Sequence, residues 1–249
     1  MPPPSPPVQR REGAWRRRVL ALVCRPMTAQ TLSIAIDGAD PVSGLWQAPA
    51  SPTACLVLAH GAGAGMTHRS MAAIASGLAE RGVATLRYQF PYMERGGKRV
   101  DPPPIAHAAV RAAVAEAHRR RGSAPLFAGG RSFGARMTSQ AQAAEPLADV
   151  RGLVFFAFPL HPAGKPSTDR AAHLARVAIP MLFLQGTKDA LAELPRLQAV
   201  VEGLGDRATL SLAPEADHSF HVPARTGRKD AEVLGEMLDG VVGWMGRAI

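Results

Sequence analysis

Short apolar runs alternate with helical patterns along most of the chain, and this alternation constrains the fold more than any other feature. The run ACLVLAH at residues 54–60 is apolar up to its histidine, as expected of a strand buried on both faces of a sheet. Similar runs follow at residues 83–90, 124–130, 150–159 and 180–186, separated by segments with helical spacing or caps. This order predicts right-handed crossovers and a mostly parallel sheet with helices on both faces.

The segment before these runs has a different pattern. TLSIAI alternates, with Leu32, Ile34 and Ile36 on one face, and an Asp-Gly turn separates it from a second run at residues 42–48. This pattern predicts an antiparallel hairpin with one wet face. With a last strand at residues 207–213, the prediction is an α/β three-layer α/β/α sandwich with an eight-stranded, mostly parallel sheet, in one domain over residues 28–249.

Residues 1–27 are rich in proline and then in arginine, and we expect them to form a disordered tail. One explanation for this tail is that translation starts upstream of the true start at Met27. Arg16 to Arg18 and the apolar residues after them partly resemble a secretory or twin-arginine signal. Their apolar core is shorter than the roughly 7–15 residues that a signal needs. No apolar run approaches the roughly 18 residues of a membrane span. We therefore expect a cytoplasmic protein with no membrane partner.

The formal net charge of +9 raises the question of nucleic-acid binding. Six arginines and one glutamate precede Met27, so the tail carries more than half of this charge. The remaining residues lack interleaved basic and aromatic side chains, which argues against a nucleic-acid partner. The two cysteines, Cys24 and Cys55, form neither a disulfide framework nor a metal motif, and Cys55 reads as a small buried hydrophobe.

The pentapeptide Gly130-Arg131-Ser132-Phe133-Gly134 is a G-x-S-x-G between a predicted strand and a predicted helix. Alone it is weak evidence, but the strand–turn–helix setting is the one that a nucleophile elbow needs. A tight turn places the serine in sparsely populated φ/ψ, and side chains at the flanking glycines would collide with neighbouring elements. Ser132 is therefore the candidate nucleophile.

A serine nucleophile needs a base, and the base needs an acid that orients it. His218 follows the last predicted strand and is preferred as the base over its competitor His221. Asp189 follows an apolar strand through a Gly turn and is preferred as the acid. Its rival Asp217 is adjacent to His218, and adjacent residues on an extended chain point apart, so we expect it to stabilise the loop. The chain order Ser, Asp, His is typical of α/β-hydrolases.

The glycine-rich segment after residue 60 is a candidate oxyanion hole. Backbone N–H groups of Phe133 and of Gly61 or Ala62 would point at the developing alkoxide. A dinucleotide-binding loop is the competing reading. The G-x-G-x-x-G spacing fails because Met66 stands at its last position, and no Gly-Lys-Ser/Thr follows.

The segments LAHGAGAG, GGRSFGARM, FFAFPLHPAGKP, LQGTKDAL and ADHSF together resemble the α/β-hydrolase superfamily, and more narrowly its small dienelactone-hydrolase-like branch. The resemblance covers roughly residues 31–247 and implies the α/β-hydrolase fold. It implies Ser132 as nucleophile, Asp189 as acid and His218 as base. Dienelactone hydrolase itself uses a cysteine nucleophile, so the serine here favours esterase-type chemistry.

Many relatives carry a helical lid after the sixth strand, but residues 158–180 leave room for one short helix only. We therefore expect no large lid domain and an open cleft. Candidates for its substrate rim are Met66, His68, Arg131 and His161, although a loop-stabilising hydrogen bond is the preferred role of His161.

These observations predict a serine hydrolase that cleaves a small-molecule carboxylic ester or thioester through an acyl-enzyme, with no metal or organic cofactor. A homodimer is an open possibility. Two alternatives remain open. One is a non-catalytic α/β-hydrolase-fold module that serves as a binding scaffold, and the other is an acyltransferase in which an alcohol or amine replaces water.

Overall fold

The structure, a computed structural model, describes residues 28–248 of the chain, so the tail predicted at residues 1–27 lies outside the described residues. The strands are β1 (Gln30–Ile36), β2 (Ala39–Gln47), β3 (Ala54–Ala59), β4 (Val83–Tyr88), β5 (Leu126–Arg131), β6 (Val150–Phe156), β7 (Met181–Gly186) and β8 (Ala208–Ala213). The α-helices are α1 (Arg69–Glu80), α2 (Pro91–Glu94), α3 (Pro103–Arg120), α4 (Phe133–Ala144), α5 (Leu194–Leu204) and α6 (Asp230–Arg247).

All eight strands join one sheet in the order β1-β2-β4-β3-β5-β6-β7-β8. β1 pairs antiparallel with β2 and β2 antiparallel with β4, and every other pairing is parallel. The predicted hairpin is confirmed: Leu32, Ile34 and Ile36 are buried while the residues between them are exposed. Strands β3, β4 and β7 are buried at every position, which explains their mostly apolar sequences; the few polar side chains in them, such as Arg87 and Gln185, are buried as well.

Helices cover both faces of the sheet, and each face has its own core. The side chains of the parallel strands alternate between the two faces with the period of two expected of strands. On one face α3, α4 and α5 pack against strand residues such as Val57 and Phe155. On the other face α1 and α6 pack against strand residues such as Leu58 and Phe156. The predicted three-layer α/β/α sandwich is therefore confirmed.

Two connections contain short helices. The connection after β4 contains the one-turn helix α2, and α3 begins at Pro103, since proline is well tolerated in the first turn of a helix. The short helix expected after β6 is a 3₁₀ helix at Asp169–Arg176, and its N-cap Thr168 makes no side-chain capping bond. This 3₁₀ helix is the only helix between β6 and β7, so the predicted absence of a lid is confirmed.

Candidate active site

Ser132 lies on a sharp turn between β5 and α4 at the carboxyl edge of the parallel strands. Its φ of 52° and ψ of −112° are unusual for a non-glycine residue and indicate local backbone strain. A bond from its N–H to the Phe156 carbonyl (2.9 Å) ties the turn to the neighbouring strand β6. The turn therefore holds the hydroxyl at the tip of an elbow, as the sequence predicts.

The two glycines of the pentapeptide are required by close backbone packing. A Cβ on Gly130 would lie 2.5 Å from the Ala59 carbonyl oxygen. A Cβ on Gly134 would lie 2.5 Å from the same oxygen and 2.6 Å from the His60 carbonyl oxygen. All three contacts are shorter than real Cβ atoms tolerate, so the end of β3 fits directly against the elbow only because these side chains are missing.

A chain of two hydrogen bonds links the predicted nucleophile, base and acid. His218 Nε2 lies 2.8 Å from Ser132 Oγ, and His218 Nδ1 lies 2.7 Å from Asp189 Oδ2. Because a carboxylate only accepts hydrogen bonds, Nδ1 carries the proton in the neutral ring and Nε2 is free to accept from the serine hydroxyl. The ring is partly open to solvent, with 24% of its side-chain surface exposed, whereas the Asp189 side chain is fully buried.

Asp189 is held by groups besides the histidine. Its Oδ1 accepts the Leu191 backbone N–H at 2.8 Å, and its Oδ2 accepts a hydrogen bond from the Gln185 side-chain amide. Gln185, the second-to-last residue of β7, is fully buried and was not singled out by the sequence reasoning. Its only sequence signal is an amide within an otherwise apolar strand, four residues before the predicted acid.

The rival residues serve a different purpose. Asp217 Oδ1 accepts the backbone N–H groups of Ser219 (2.7 Å) and His221 (3.0 Å), which stabilises the loop around His218. The exposed His221 pairs with Asp230 at 2.9 Å, and this contact raises the pKa of His221 and lowers the pKa of Asp230. Neither rival belongs to the hydrogen-bonded chain that reaches Ser132.

The glycine-rich loop after β3 lies beside the nucleophile. A Cβ on Gly61 would lie 3.9 Å from Ser132 Cβ and 3.7 Å from the Arg131 carbonyl oxygen. Phe133 is the first residue of α4, so its N–H has no carbonyl partner within the helix. The structure therefore brings the predicted donors Gly61, Ala62 and Phe133 to the same edge of the sheet as Ser132.

Two side chains, one at the start of this loop and one from the segment after β4, bind its carbonyl groups. The buried His60 accepts the Phe90 N–H on Nε2 (3.0 Å), so Nδ1 carries the proton and donates to the Gly61 carbonyl (2.7 Å). Burial lowers the pKa of His60 to about 4, which keeps the ring neutral at pH 7. The Tyr92 hydroxyl donates to the Ala62 carbonyl at 2.7 Å.

The substrate rim predicted from sequence is partly wrong. His68 is exposed and caps α1 by accepting the Ser70 N–H. Met66 is buried, and the side chains of Gln89 and Arg87 bind its backbone N–H and carbonyl. His161 is also buried, and its ring bonds Glu193 and the Pro162 carbonyl, both at 2.8 Å. Met66 and His161 therefore lie beneath the surface, and His161 has the loop-stabilising bonds that the sequence analysis preferred for it.

Arg131 reaches the loop that carries the histidine. Its guanidinium donates to the His218 carbonyl at 3.3 Å and approaches Ser70 Oγ at 3.5 Å. Burial lowers the pKa of Arg131, and the nearby carboxylates of Asp217 and Asp189 oppose this shift. A cavity of about 600 Å³ adjoins this arginine between α1, α6 and the loop after His218. Arg131 therefore joins β5, α1 and the histidine loop.

Cys55 is a free cysteine that is fully buried, and burial raises the pKa of its thiol to about 12, so it is the small buried hydrophobe that the sequence predicts.

Among residues 28–248 no cluster of three or more His, Cys, Asp or Glu side chains has a geometry that could hold a metal ion. Within the same residues, no helix combines the length and apolar character needed to cross a bilayer.

An α/β sandwich without a lid that carries a serine–histidine–aspartate chain at its strand ends has the features of the α/β-hydrolase class. The family model described as an alpha/beta hydrolase domain matches residues 52–246. Because this match spans most of the sequence, the chain belongs to the α/β-hydrolase family.

Solved structures have the same fold. An α/β serine hydrolase without lid from Xanthomonas campestris is 22% identical, with a TM-score of 0.69 over 88% of this chain and 96% of that chain. A dienelactone hydrolase from Anabaena variabilis is 18% identical, with a TM-score of 0.71 over 90% of this chain and 99% of that chain. The esterase domain of a Rhodothermus marinus protein is 13% identical, with a TM-score of 0.68 over 89% of this chain and 99% of that chain. The fold resemblance predicted from the motifs is thus confirmed.

Proposed function

We propose that this protein is a serine hydrolase that cleaves a carboxylic ester or thioester through an acyl-enzyme intermediate. The observation that carries the proposal is the hydrogen-bonded chain from Ser132 Oγ through His218 to the buried Asp189. A strained elbow presents the serine, and His218 Nε2 lies 2.8 Å from its hydroxyl in position to accept the proton, which is the arrangement that activates a weak nucleophile.

In the first half-reaction, Ser132 Oγ forms a bond to the acyl carbon while His218 Nε2 takes the hydroxyl proton. Asp189 stabilises the imidazolium that forms, and the N–H groups of Phe133 and of Ala62 or Gly61 stabilise the oxyanion. The bond to the leaving alcohol or thiol then breaks, and His218 returns the proton to that leaving group. The products of this step are the acyl-enzyme and the free alcohol or thiol.

In the second half-reaction, water attacks the acyl carbon while His218 takes one of its protons. The bond to Ser132 breaks, the carboxylic acid leaves, and the serine regains its proton from His218. Every step uses groups of the chain and water, so the proposal requires neither a metal nor an organic cofactor.

The substrate class is supported by the open site and by the fold neighbours. The connection after β6 carries only the 3₁₀ helix, so no lid domain covers Ser132 among the described residues. One neighbour is described as a dienelactone hydrolase and another as an esterase domain, and both names denote ester hydrolysis by those proteins. We extend this reaction type to the present chain, with a serine in place of the cysteine of dienelactone hydrolase.

The direct test is covalent labelling with a fluorophosphonate probe, followed by hydrolysis of p-nitrophenyl acetate. We expect the wild type to be labelled at Ser132 and to turn over the ester, and Ser132→Ala to lose both properties. A folded wild type that is neither labelled nor active would contradict the proposal and would favour a non-catalytic binding module. Transfer of the acyl group to added alcohols or amines in preference to water would instead show an acyltransferase.

Matched variants separate the site from its rivals. We expect Asp189→Asn to lower kcat by about 10⁴-fold, because an aspartate to asparagine change in such a triad stabilises the wrong histidine tautomer. Asp217→Asn, which affects only loop bonds, should retain most of the activity. In the same way His218→Ala should abolish turnover while His221→Ala retains it. Equal losses of kcat within either pair would show that our assignment of the acid or of the base is wrong.

A further inference from the structure

Ala62 lies between two peptide groups that are each held by a different side chain. The carbonyl of the Gly61–Ala62 peptide accepts the His60 ring N–H at 2.7 Å. The carbonyl of the Ala62–Gly63 peptide accepts the Tyr92 hydroxyl at 2.7 Å. Backbone bonds add little at this point, because the Ala64 N–H approaches the Gly61 carbonyl at a long N···O distance of 3.5 Å, and the bond from the His68 N–H to the Gly65 carbonyl (3.0 Å) lies at the far end of the loop.

These two bonds determine where the loop's N–H groups point. In a trans peptide the carbonyl and the N–H point in opposite directions, so a donor that holds the carbonyl also orients the N–H of the next residue. His60 therefore orients the Ala62 N–H, and Tyr92 orients the Gly63 N–H. Together the two side chains limit rotation on both sides of Ala62, in a segment whose glycines give it little stiffness of its own.

The Tyr92 hydroxyl is well suited to hold the loop. The side chain is buried, with 2% of the residue exposed, so water competes little for the Ala62 carbonyl. Burial and the nearby Asp101 carboxylate raise the pKa of Tyr92 to about 12, which keeps the hydroxyl protonated and able to donate. The donor is therefore present over the whole pH range in which an esterase is assayed.

The backbone of Tyr92 is itself anchored. Its N–H donates to Asp101 Oδ2 at 2.7 Å, and Asp101 also pairs with Arg95 at 2.9 Å. Its ring packs edge-on against Phe133, the residue whose N–H is the other proposed oxyanion donor, at a centroid distance of 6.3 Å. One side chain thus touches both halves of the proposed oxyanion hole.

We propose that Tyr92 is a positioning residue for the oxyanion hole: its hydroxyl holds the Ala62 carbonyl and so limits rotation about Ala62, whose N–H is one of the proposed oxyanion donors. This inference rests on the serine hydrolase function proposed above. It predicts that loss of the hydroxyl alone, with the ring retained, weakens binding of the transition state more than binding of the substrate.

The chain offers a matched pair for the test, because Tyr92 and Tyr88 are its only tyrosines. Both are buried and both pack against Phe90, but the Tyr88 hydroxyl lies near the Thr138 side chain and makes no hydrogen bond to the oxyanion loop. Tyr92→Phe and Tyr88→Phe therefore remove the same atom from the same aromatic cluster. Only the first removes a bond to the oxyanion loop.

We expect Tyr92→Phe to lower kcat on p-nitrophenyl acetate by on the order of tenfold, less than the roughly 10²–10³-fold cost of deleting an oxyanion donor itself. KM should change by less than about twofold, because the hydroxyl acts on the transition state more than on the bound ester. Affinity for an aryl trifluoromethyl ketone, which forms a tetrahedral adduct with the serine, should fall by the same factor as kcat. Tyr88→Phe should leave all three quantities within about twofold of wild type.

Circular dichroism and the thermal midpoint of each variant establish that it is folded. Equal kinetics of the two folded variants, or a Tyr92→Phe effect confined to KM, would overturn the positioning role while the hydrolase function stands. If Tyr92→Phe fails to fold, the ketone affinity and kcat of Asp101→Asn, which loosens the Tyr92 backbone, decide the question by the same criterion. A wild type without labelling or turnover would overturn the proposed function and this inference with it.

Discussion

Two loops meet at Ser132, and they are held in place by different forces. The elbow at residues 130–134 is held by contact between backbones, since a Cβ on Gly130 or Gly134 would lie 2.5 Å from the Ala59 carbonyl oxygen. In the glycine-rich loop after β3 the space around Gly63 is open, because a Cβ there would meet nothing within 4 Å, and a Cβ on Gly65 would meet the Gln89 side chain rather than backbone. Its peptide groups are held by the His60 and Tyr92 side chains instead.

The difference shows that glycine has two structural roles in one site. In the elbow it is a steric requirement, because no side chain fits between β3 and α4. At Gly63 in the neighbouring loop it leaves the backbone unobstructed, and orientation comes from hydrogen bonds to the side chains of His60, at the start of the loop, and of Tyr92, 30 residues beyond Ala62. Added side-chain atoms should therefore destabilise the elbow. The other loop should instead be disturbed when a hydrogen-bonding side chain is removed or when His60 is protonated.

The largest effect is expected from added atoms in the elbow. Gly134→Ala places a methyl group against the backbone of Ala59 and His60, and we expect it to lower the free energy of unfolding by more than about 3 kcal/mol. Gly63→Ala, in open space, should change it by less than about 1 kcal/mol. Urea unfolding of the two variants measures both values. Comparable losses would show that both loops are sterically determined.

The second effect concerns pH, because a neutral histidine holds one loop. The pKa of His60 is lowered to about 4 in the folded protein, whereas an unfolded histidine has a pKa near 6.5. Between these values the unfolded chain binds a proton that the folded one does not, so stability falls as pH drops from about 6.5 towards 4. Up to about 3 kcal/mol is expected from this group at pH 4 relative to pH 7.

Urea unfolding at pH 7.5 and pH 5.0 measures this dependence. His60→Asn should flatten the dependence of stability on pH relative to wild type. His221→Asn should steepen it, because pairing with Asp230 raises the pKa of His221 and stabilises the fold at low pH. A His60→Asn protein that retains the full wild-type slope would contradict the assignment of a buried neutral ring.

The smallest effect is expected at Arg131, where a single bond joins the elbow to the histidine loop. Arg131→Met removes the donor to the His218 carbonyl, and one such bond stabilises by about 1 kcal/mol, so we expect kcat to fall by at most about tenfold. Arg69→Met is the control, because Arg69 is exposed and lines the same cavity. Equal kcat values of the two variants would show that Arg131 does not position the loop.

The sequence predicts the fold well because the strands that form the sheet centre are buried on both faces and carry continuous apolar runs. The hairpin follows in the same way from the alternation around Ile34. The candidate triad is also predictable, because each of its members follows a recognisable strand. The identities of Ser132, Asp189 and His218 are thus open to prediction, and the distances between them are not.

The predictions at the rim were weaker because they depend on contacts between segments remote in sequence. The buried ring of His161 forms a hydrogen bond with Glu193, which lies 32 residues further along the chain. The Tyr92 hydroxyl binds the carbonyl of Ala62, 30 residues away, and no local sequence pattern predicts this hydrogen bond. Gln185 has a local signal, but its meaning depends on Asp189 being turned back towards it.

By itself, the sequence determined the order of strands and helices, the small residues of the elbow, and the three side chains that stand at strand ends, because local periodicity and turn chemistry encode these features. Tertiary structure alone decided which side chains are buried in the loops and which peptide groups they orient. The physical reason is that a loop's conformation depends on hydrogen bonds and contacts supplied by distant segments, and these exist only once the sheet has assembled.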